Sequence, residues 1–387
     1  MSASPPVLLR RLSLGGFRSY DGFAWSDPGR VSVITGPNGS GKTNLLEALS
    51  LLVPGRGLRG ARLAELPRGG AGHWGVAARF SHGEDGFDLS TGTTAETAPG
   101  RRVFRLDGQP PRHRGAIAER LSAVWLTPQM DRLFTEGPGG RRRFLDRLVL
   151  AAEPGHATEV AAHDEAMRSR NRLLGQEQPD RAWLAALEAS MARHAVAVTA
   201  ARRGLVSRMN RRLQDDPGDA DGFPPVRLRL ECPIATRLDE HPAVAVEDWL
   251  RSILAESRAI DARAGSARHG AHRADLFLSD ARSGQDAALA STGQQKAMLI
   301  GAVLAHASLL AELAGEAPML LLDEPLVHLD AHHRLTLLRA LAAMPSQVLL
   351  TGTDPEGFAP LAGVAAFFRA RQGPDGLSTL EATGAAE

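Results

Sequence analysis

The residues of this chain with the most specific chemistry begin at Gly36. Eight consecutive positions have the types and spacing of a phosphate-binding loop: Gly36, Pro37, Asn38, Gly39, Ser40, Gly41, Lys42 and Thr43. In such a loop, glycines let backbone N–H groups converge on phosphate oxygens, the lysine reaches the β- and γ-phosphates, and the threonine hydroxyl binds Mg²⁺. The stretch therefore predicts a site for a nucleoside triphosphate and Mg²⁺. The alternative is a glycine-rich turn that contains a lysine by chance.

Two adjacent carboxylates could complete that site. Asp323 and Glu324 directly follow the apolar run 319–322, which predicts a buried strand. Asp323 would hold Mg²⁺, directly or through water, and Glu324 would orient and polarise the attacking water as the catalytic residue. An apolar strand can also end in two acids without any catalytic role, but the phosphate-binding loop favours the catalytic interpretation.

A second anion site is predicted just before that strand, in the segment 291–296. A serine hydroxyl and a glycine N–H at a helix N-terminus bind anions well. Because the chain already has a phosphate-binding loop, a second site suggests that two subunits hold one γ-phosphate between them. The residues that would reach the partner's nucleotide are Ser291, Gly293 and Gln294. The alternative is an ordinary helix N-cap.

These motifs need an α/β framework to position them. The β-branched run 31–35 predicts a strand before the phosphate-binding loop, and the pattern over 44–52 predicts a helix after it. Apolar residues at helical spacing then dominate 141–213, and a Pro- and Asp-rich segment over 215–225 ends that pattern. We therefore predict an α/β fold with an inserted, mainly helical domain. The predicted division is an N-terminal α/β part, a helical arm domain and a C-terminal α/β part, at residues 1–135, 136–225 and 226–387.

Composition excludes several classes of protein. The 387 residues carry 45 Lys plus Arg against 44 Asp plus Glu, so any basic surface must be local. A single cysteine, Cys232, excludes a disulfide framework and a cysteine-based zinc cluster. The N-terminus lacks the pattern of a signal peptide, and no apolar run is long enough to span a bilayer, so we expect a cytoplasmic protein without a membrane partner. Lysine occurs only at Lys42 and Lys296, and both lie within the motifs above.

Taken together, the motifs resemble the ATP-binding-cassette ATPase heads. The resemblance implies that the nucleotide is ATP and that the α/β parts form such a head. It also implies that Gln129 senses the metal and the water, and that Asp330 lies in a loop that crosses to the other subunit. Transporter heads generally place a histidine after the last strand, where this chain has the segment 351–354. That difference predicts slow hydrolysis.

Further motifs resemble the RecF family of bacterial recombination and gap-repair proteins. They cover nearly the whole chain, at residues 16–20, 36–47, 141–146, 170–174 and 270–275. The chain departs from the family pattern at Ala271, Ala274 and Thr292, where Pro, Asp and Arg are more usual, and over 325–328. The resemblance implies an ATP-dependent homodimer that binds single- and double-stranded DNA at gaps or junctions. It also implies weak, DNA-stimulated ATPase activity and, with RecR and RecO, help in loading RecA.

The helical insertion is rich in arginine. Residues 141–212 contain 14 Arg against 8 Asp plus Glu. Arg141, Arg142 and Arg143 are candidates for contacts with DNA phosphates, which are independent of base sequence. An equally good interpretation is a solvated helix start or an ion-pair cluster between domains.

Two other functions stay open from the sequence. The first is the ATPase subunit of a transporter, which the long arginine-bearing insertion disfavours. The second is an adaptor that binds ATP and DNA without hydrolysis. The intact pair of Asp323 and Glu324 argues against the adaptor.

Overall fold

The computed structural model describes residues 6–97, 100–113, 115–215 and 222–384. The strands are β1 (Val7–Gly15), β2 (Phe23–Ser26), β3 (Val31–Thr35), β4 (Gly75–His82), β5 (Asp85–Gly92), β6 (Val103–Leu106), β7 (Ala123–Leu126), β8 (Val226–Glu231), β9 (Asp275–Asp280), β10 (Met319–Leu322), β11 (Val348–Gly352), β12 (Ala366–Gln372) and β13 (Ser378–Thr383). The helices are α1 (Lys42–Ser50), α2 (Pro138–Ala152), α3 (His156–Leu174), α4 (Arg181–Asp215), α5 (Pro233–Glu240), α6 (Ala243–Glu256), α7 (Arg258–Ala264), α8 (Thr292–Ala314) and α9 (Ala331–Ala343).

The chain divides into two compact units. Unit 1 contains Met1–Asp131, Gly218–Pro224 and Ala290–Glu387, and unit 2 contains Arg132–Pro217 and Pro225–Leu289. The predicted return to the α/β part at residue 226 is therefore wrong. The chain stays in unit 2 because β8 pairs antiparallel with β9 and packs against α4. Of the predicted breaker segment, residues 216–221 lie outside the described residues.

A six-stranded sheet in unit 1 positions the predicted motifs. Its order is β13-β12-β3-β11-β10-β7, and every pair is parallel except the edge pair of β12 and β13. Strands β3, β10 and β11 are buried at every position, which explains their predominantly apolar sequences. Because parallel strands end at the same edge, the segments that follow β3, β7, β10 and β11 all emerge together.

A five-stranded antiparallel sheet, ordered β2-β1-β4-β5-β6, forms the other layer of unit 1. Strands β1 and β4 alternate buried and exposed residues over most of their length, as a sheet with one solvated face does. The buried side chains of both sheets join in one apolar core.

Unit 2 is mainly helical, and one buried ion-pair network lies in its interior. Arg170 on α3 has no exposed surface. Its guanidinium binds Glu188 of α4 at 3.0 Å and Asp261 of α7 at 2.8 Å. It also donates to the carbonyl oxygen of Leu254 at 2.6 Å. Arg170 is therefore a structural residue that links α3, α4, α6 and α7.

Helix α8 corrects one expectation from the sequence. By length and composition it could cross a membrane, since its most apolar window has a mean hydropathy of 1.8. The expectation that no apolar run reaches such a length is therefore wrong. However, 56% of that window is buried within the protein, and α8 packs against β7. A helix in the core of a protein has the same apolar composition as a membrane-spanning helix, because a protein interior and a lipid bilayer are both apolar.

Candidate nucleotide and metal site

The phosphate-binding loop connects β3 to α1. Gly36 and Gly41 both have positive φ values, +144° and +99°, which side chains rarely adopt. A Cβ atom at Gly36 would collide with the carbonyl oxygen of Ala370, and one at Gly41 would collide with the side chain of Ser378. Glycine is therefore required at both positions for this loop to pack against the sheet.

Lys42, the first residue of α1, is almost completely buried. Its Nζ atom donates to the carbonyl oxygens of Gly36 at 2.7 Å and Pro37 at 3.0 Å. Burial lowers the pKa of Lys42, while the carboxylates of Glu324 and Asp323 act in the opposite direction. The ammonium group therefore lies within the loop itself, held by two carbonyl oxygens that a phosphate can replace.

A hydroxyl and a carboxylate meet at the edge where β3, β10 and β11 end. The Thr43 hydroxyl donates to Asp323 Oδ1 at 3.0 Å. The Thr351 hydroxyl, at the end of β11, donates to the same oxygen at 2.7 Å. The parallel registers of the sheet explain this meeting, because Leu322 lies beside Leu350. The predicted metal ligands Thr43 and Asp323 are thus in direct contact.

Glu324 follows Asp323 with an unusual backbone. Its φ is +49°, a left-handed conformation that costs free energy for any residue except glycine. Its N–H donates to the Thr351 hydroxyl at 3.0 Å, and its carbonyl oxygen accepts from Lys296 Nζ at 3.2 Å. Both backbone polar groups of this strained residue are therefore held by side chains of other elements.

Gln129 lies at the same edge of the sheet. It belongs to the short 3-10 helix Pro128–Arg132 that follows β7, and its side chain is exposed. Strand β7 pairs with β10 so that Leu126 lies beside Leu322, and the Asp323 N–H donates to the Leu126 carbonyl oxygen at 2.9 Å. Gln129 therefore follows the strand that lies next to β10, and its role as a metal ligand stays a prediction.

The predicted second anion site is the N-terminus of α8. Ser291 is the N-cap, and its hydroxyl accepts from the Gln294 N–H at 3.3 Å. The Gln294 side chain accepts in return from the Ser291 N–H at 3.0 Å, so the two residues form a capping box. A Cβ at Gly293 would lie 2.9 Å from the carbonyl oxygen of His328. This turn therefore packs closely on the segment that leads to Asp330.

Asp330 caps the next helix and points to solvent. Its carboxylate accepts from the His333 N–H at 2.9 Å and contacts His333 Nδ1 at 2.7 Å. These hydrogen bonds from His333 lower the pKa of Asp330. Asp330 and Ser291 are both exposed. They occupy two neighbouring exposed segments of unit 1, rather than the interior site of Lys42 and Asp323.

Comparisons with known proteins decide the family. The chain is 41% identical over 368 residues to the DNA replication and repair protein RecF of Rhizobium etli (strain CIAT 652), covering 95% of this chain and 98% of that protein. It is 42% identical over 370 residues to the protein of the same name from Mesorhizobium japonicum, covering 95% and 97%. The chain belongs to the RecF family.

A family model and solved structures describe the fold of the chain. Residues 31–351 match the family described as "AAA domain, putative AbiEii toxin, Type IV TA system". The fold matches a solved structure of the recombination mediator protein RecF-ATPrS in the RecFOR pathway, with a TM-score of 0.83 and 22% identity over 98% of this chain and 100% of that one. An Smc head domain from Pyrococcus furiosus matches with a TM-score of 0.52 and 16% identity over 98% and 96%. The predicted P-loop ATPase-head fold is confirmed.

The structure of this RecF protein gives two of the three candidate DNA-binding arginines internal partners. Arg141 forms a bidentate ion pair with Asp275, at 2.8 and 2.9 Å. Arg142 donates to the carbonyl oxygen of Ala274 at 2.9 Å. These contacts fasten the motif at 270–275 to α2 within unit 2. Of the three, Arg143 is exposed, whereas Arg141 and Arg142 are half-buried.

Sequence reasoning missed two side chains that organise the RecF site, Thr351 and Lys296. Thr351 begins the segment where transporter heads generally have a histidine. A threonine at this position does not indicate from the sequence that it contacts both Asp323 and Glu324. Lys296 carried a signal, since it is one of only two lysines in the chain. Its partners could not be inferred, because Asp131 and Glu324 lie 165 and 28 residues away along the chain.

A cleft of about 530 Å³ opens beside α1 and was not predicted as a site. Arg18, Arg59 and Arg68 line it, together with Ser19 and Asn44. All three arginines already have partners: Arg18 and Arg59 bind the buried carboxylate of Glu47 at 2.9 and 3.2 Å, and Arg68 donates to the carbonyl oxygen of Asp375 at 2.9 Å. The cleft reaches Asn44, the residue that follows the phosphate-binding loop.

Proposed function

We propose that this RecF protein binds ATP in a site built from the phosphate-binding loop, Asp323 and Glu324, and uses it to control a dimer that binds DNA during recombinational repair and replication restart. The observation that carries the proposal is the direct contact of Thr43 with Asp323 at 3.0 Å. A hydroxyl from the loop and a carboxylate from a strand 280 residues away meet beside the buried Lys42. The arginine-lined cleft beside α1 then accommodates the rest of the nucleotide.

The donor set at this site fits Mg²⁺. Thr43 and Asp323 supply hard oxygen atoms, and Gln129 is the third candidate ligand at the same edge. Mg²⁺ usually takes one or two carboxylates together with waters and substrate phosphates, rather than a cage of protein ligands. Consistent with this, the described residues contain no group of three His, Cys, Asp or Glu side chains that could hold a metal. When bound, Mg²⁺ would neutralise charge on the β- and γ-phosphates.

Glu324 is the proposed catalytic residue for hydrolysis. Its backbone is held on both sides, so its carboxylate has a restricted set of positions in which to orient a water. Thr351 holds Asp323 and supplies no imidazole toward the γ-phosphate. We therefore propose that hydrolysis is slow, as suits a protein that stays on DNA for a defined time.

The partner copy completes the site in this proposal. Ser291, Gly293 and Gln294 of one subunit contact the γ-phosphate bound by the other, and Asp330 lies in the segment that crosses between them. Support comes from exposure: Ser291 and Asp330 lie at the surface, and Val327 between them is an apolar side chain with 42% of its surface exposed. Burial of Val327 in a dimer would remove that apolar surface from water.

The DNA-related part of the proposal rests on the family. RecF relatives are named DNA replication and repair proteins, and the similar solved structure is called a recombination mediator of the RecFOR pathway. We propose single- and double-stranded DNA as ligands, and RecR and RecO as partners in loading RecA. Arg143 remains the candidate for a phosphate contact, whereas Arg141 and Arg142 have structural roles.

One experiment tests this proposal as a whole. Binding to duplex, single-stranded and gapped DNA is measured with ATP, with ADP and without nucleotide, at two salt concentrations, while light scattering reports the dimer. Lys42→Ala should abolish ATP binding and the ATP-dependent dimer. Glu324→Gln should keep ATP binding, stop turnover and prolong the dimer.

Two further results would separate the alternatives. Arg143→Ala should weaken DNA binding and reduce the slope of the salt dependence by about 1, whereas the exposed Arg172→Ala on α3 serves as its control. A wild-type protein that dimerises on ATP and binds DNA without turnover would instead be the non-hydrolysing adaptor. An ATP-dependent dimer that persists in Lys42→Ala would contradict the proposed nucleotide site.

A further inference from the structure

Lys296 is a buried charge with an unusual set of partners. It lies in the first turns of α8, five residues after Ser291, and only 1% of its surface is exposed. Its Nζ atom donates to Asp131 Oδ2 at 3.2 Å and to the carbonyl oxygen of Glu324, also at 3.2 Å. All three residues belong to unit 1. One ammonium group thus connects α8, the 3-10 helix that contains Gln129, and the catalytic carboxylate residue.

Burying an ammonium group is costly unless it is paired and hydrogen-bonded. Burial lowers the pKa of Lys296, and Asp131, then Glu324 and Asp323, oppose that shift. An apolar side chain would fill the same space between α8 and the sheet without that cost. Packing alone therefore does not explain why a lysine occupies this position, and its hydrogen bonds must have another role.

The Glu324 peptide supplies that reason. Its left-handed φ of +49° persists only when surrounding groups hold it. The Thr351 hydroxyl holds its N–H, and Lys296 holds its carbonyl oxygen. If Lys296 releases the carbonyl oxygen, the strained φ of Glu324 can relax together with the peptide between Glu324 and Pro325, and the Glu324 carboxylate then changes direction.

We propose that Lys296 is a positioning residue that transmits the docking of the α8 N-terminus on a partner's nucleotide to the Glu324 carboxylate. A displacement of Ser291 moves Lys296 along with the same helix, and the Lys296 side chain then shifts the Glu324 peptide and Asp131 together. The inference rests on the proposed dimer and adds a route by which each subunit senses its partner. Lys296 itself does not touch the nucleotide.

The test compares two substitutions at Lys296 with a matched control. Lys296→Met keeps the length and apolar stem but removes the charge, and Lys296→Arg restores donors to both acceptors. Arg30→Met is the control: Arg30, at the opposite end of β3, donates to the backbone carbonyl oxygens of Met344 and Ala342 at 2.6 and 2.7 Å. The control therefore also removes a cation held by backbone oxygens, but far from the site.

Three quantities are measured for each variant: the Kd for ATP, kcat with KM, and the melting temperature. We expect Lys296→Met to lower kcat at least tenfold while the Kd for ATP changes less than twofold, and Lys296→Arg to recover part of kcat. Arg30→Met should lower the melting temperature without changing kcat more than twofold. If Lys296→Met should not fold, Asp131→Asn weakens the same anchor and should lower kcat in the same direction.

The inference is wrong if kcat of a folded Lys296→Met stays within twofold of wild type, or if Arg30→Met loses kcat equally at equal loss of melting temperature. An absence of turnover in the wild type would contradict the proposed hydrolysis instead. In that case amide exchange of residues 324–329 decides the inference. Exchange that is no faster in Lys296→Met than in wild type would show that Lys296 does not hold this peptide.

Discussion

Thr351→Val tests whether one hydroxyl organises both acidic residues of the site. Valine has almost the same shape as threonine and suits the end of β11, but it lacks the hydroxyl. That hydroxyl donates to Asp323 Oδ1 at 2.7 Å and accepts from the Glu324 N–H at 3.0 Å. Thr351 is fully buried and Asp323 is 3% exposed, so water cannot easily replace either hydrogen bond.

The magnitude follows from these two contacts. A hydrogen bond to a charged group contributes about 1.5–3 kcal/mol, and a buried N–H without a partner costs about 1–3 kcal/mol. We expect the free energy of unfolding of unit 1 to fall by about 2–5 kcal/mol, since the two contributions share one hydroxyl and do not add fully. If the transition state for ATP hydrolysis loses about 1.4–2.8 kcal/mol of stabilisation through the same two hydrogen bonds, kcat falls roughly 10- to 100-fold.

The assay combines denaturant unfolding with steady-state ATP turnover. Thr351→Ser restores the hydroxyl and should recover most of both quantities. Thr199→Val on α4 is the matched control, because Thr199 is fully buried and its hydroxyl has no hydrogen-bond partner among the described residues. That change should leave turnover unaltered and unit 2 slightly more stable. Equal stability and turnover in Thr351→Val and wild type would refute the reasoning.

Two predictions concern unit 2. Burial lowers the pKa of His272 from 6.5 to about 4, and His163, Arg273 and Arg142 act in the same direction. In the native state this ring therefore stays neutral, whereas in the unfolded chain the His272 ring gains a proton once the pH falls below its ordinary pKa of 6.5. The free energy of unfolding consequently falls as the pH drops from 6.5 to about 4, by at most ~3 kcal/mol. Urea unfolding over this pH range should show a shallower slope for His272→Gln, and an unchanged slope would contradict the assignment. Arg170→Met leaves buried carboxylates without their cation and should cost about 3–5 kcal/mol, measured by the same unfolding method, whereas its exposed neighbour, changed in Arg172→Met, should stay within about 0.5 kcal/mol.

Local patterns in the sequence were enough to predict the elements that carry the nucleotide site. The strand before the phosphate-binding loop matches β3 residue for residue, and the strand before Asp323 matches β10. Residues 319–322 are all apolar, and 31–35 are apolar apart from Ser32 and Thr35, as is typical of a strand buried on both faces. By contrast, β12 and β13 were not predicted, because β12 mixes arginines with aromatic residues and β13 is a mostly polar edge strand.

The boundary of the helical domain could not be read from local pattern. Strand β8 alternates apolar and charged residues, a pattern that is also typical of a strand in unit 1, and the sequence therefore suggested a return to the α/β part. Its partner β9 begins 44 residues after β8 ends, and only that pairing assigns both strands to unit 2. Strand partners over such distances are chosen by tertiary packing, which leaves no local signal.

The sequence alone therefore indicated which side chains belong to the site, whereas only the tertiary structure decided which residues they contact. Gly36, Lys42 and Asp323 could be assigned in advance, because loop geometry and phosphate chemistry admit few residue types at those places. Whether an arginine faces DNA or a carboxylate depends on what the chain brings beside it, and Arg141 meets Asp275 from 134 residues away. The same holds for Lys296 and Thr351, whose roles exist only where separate strands and a helix end at one edge of a sheet.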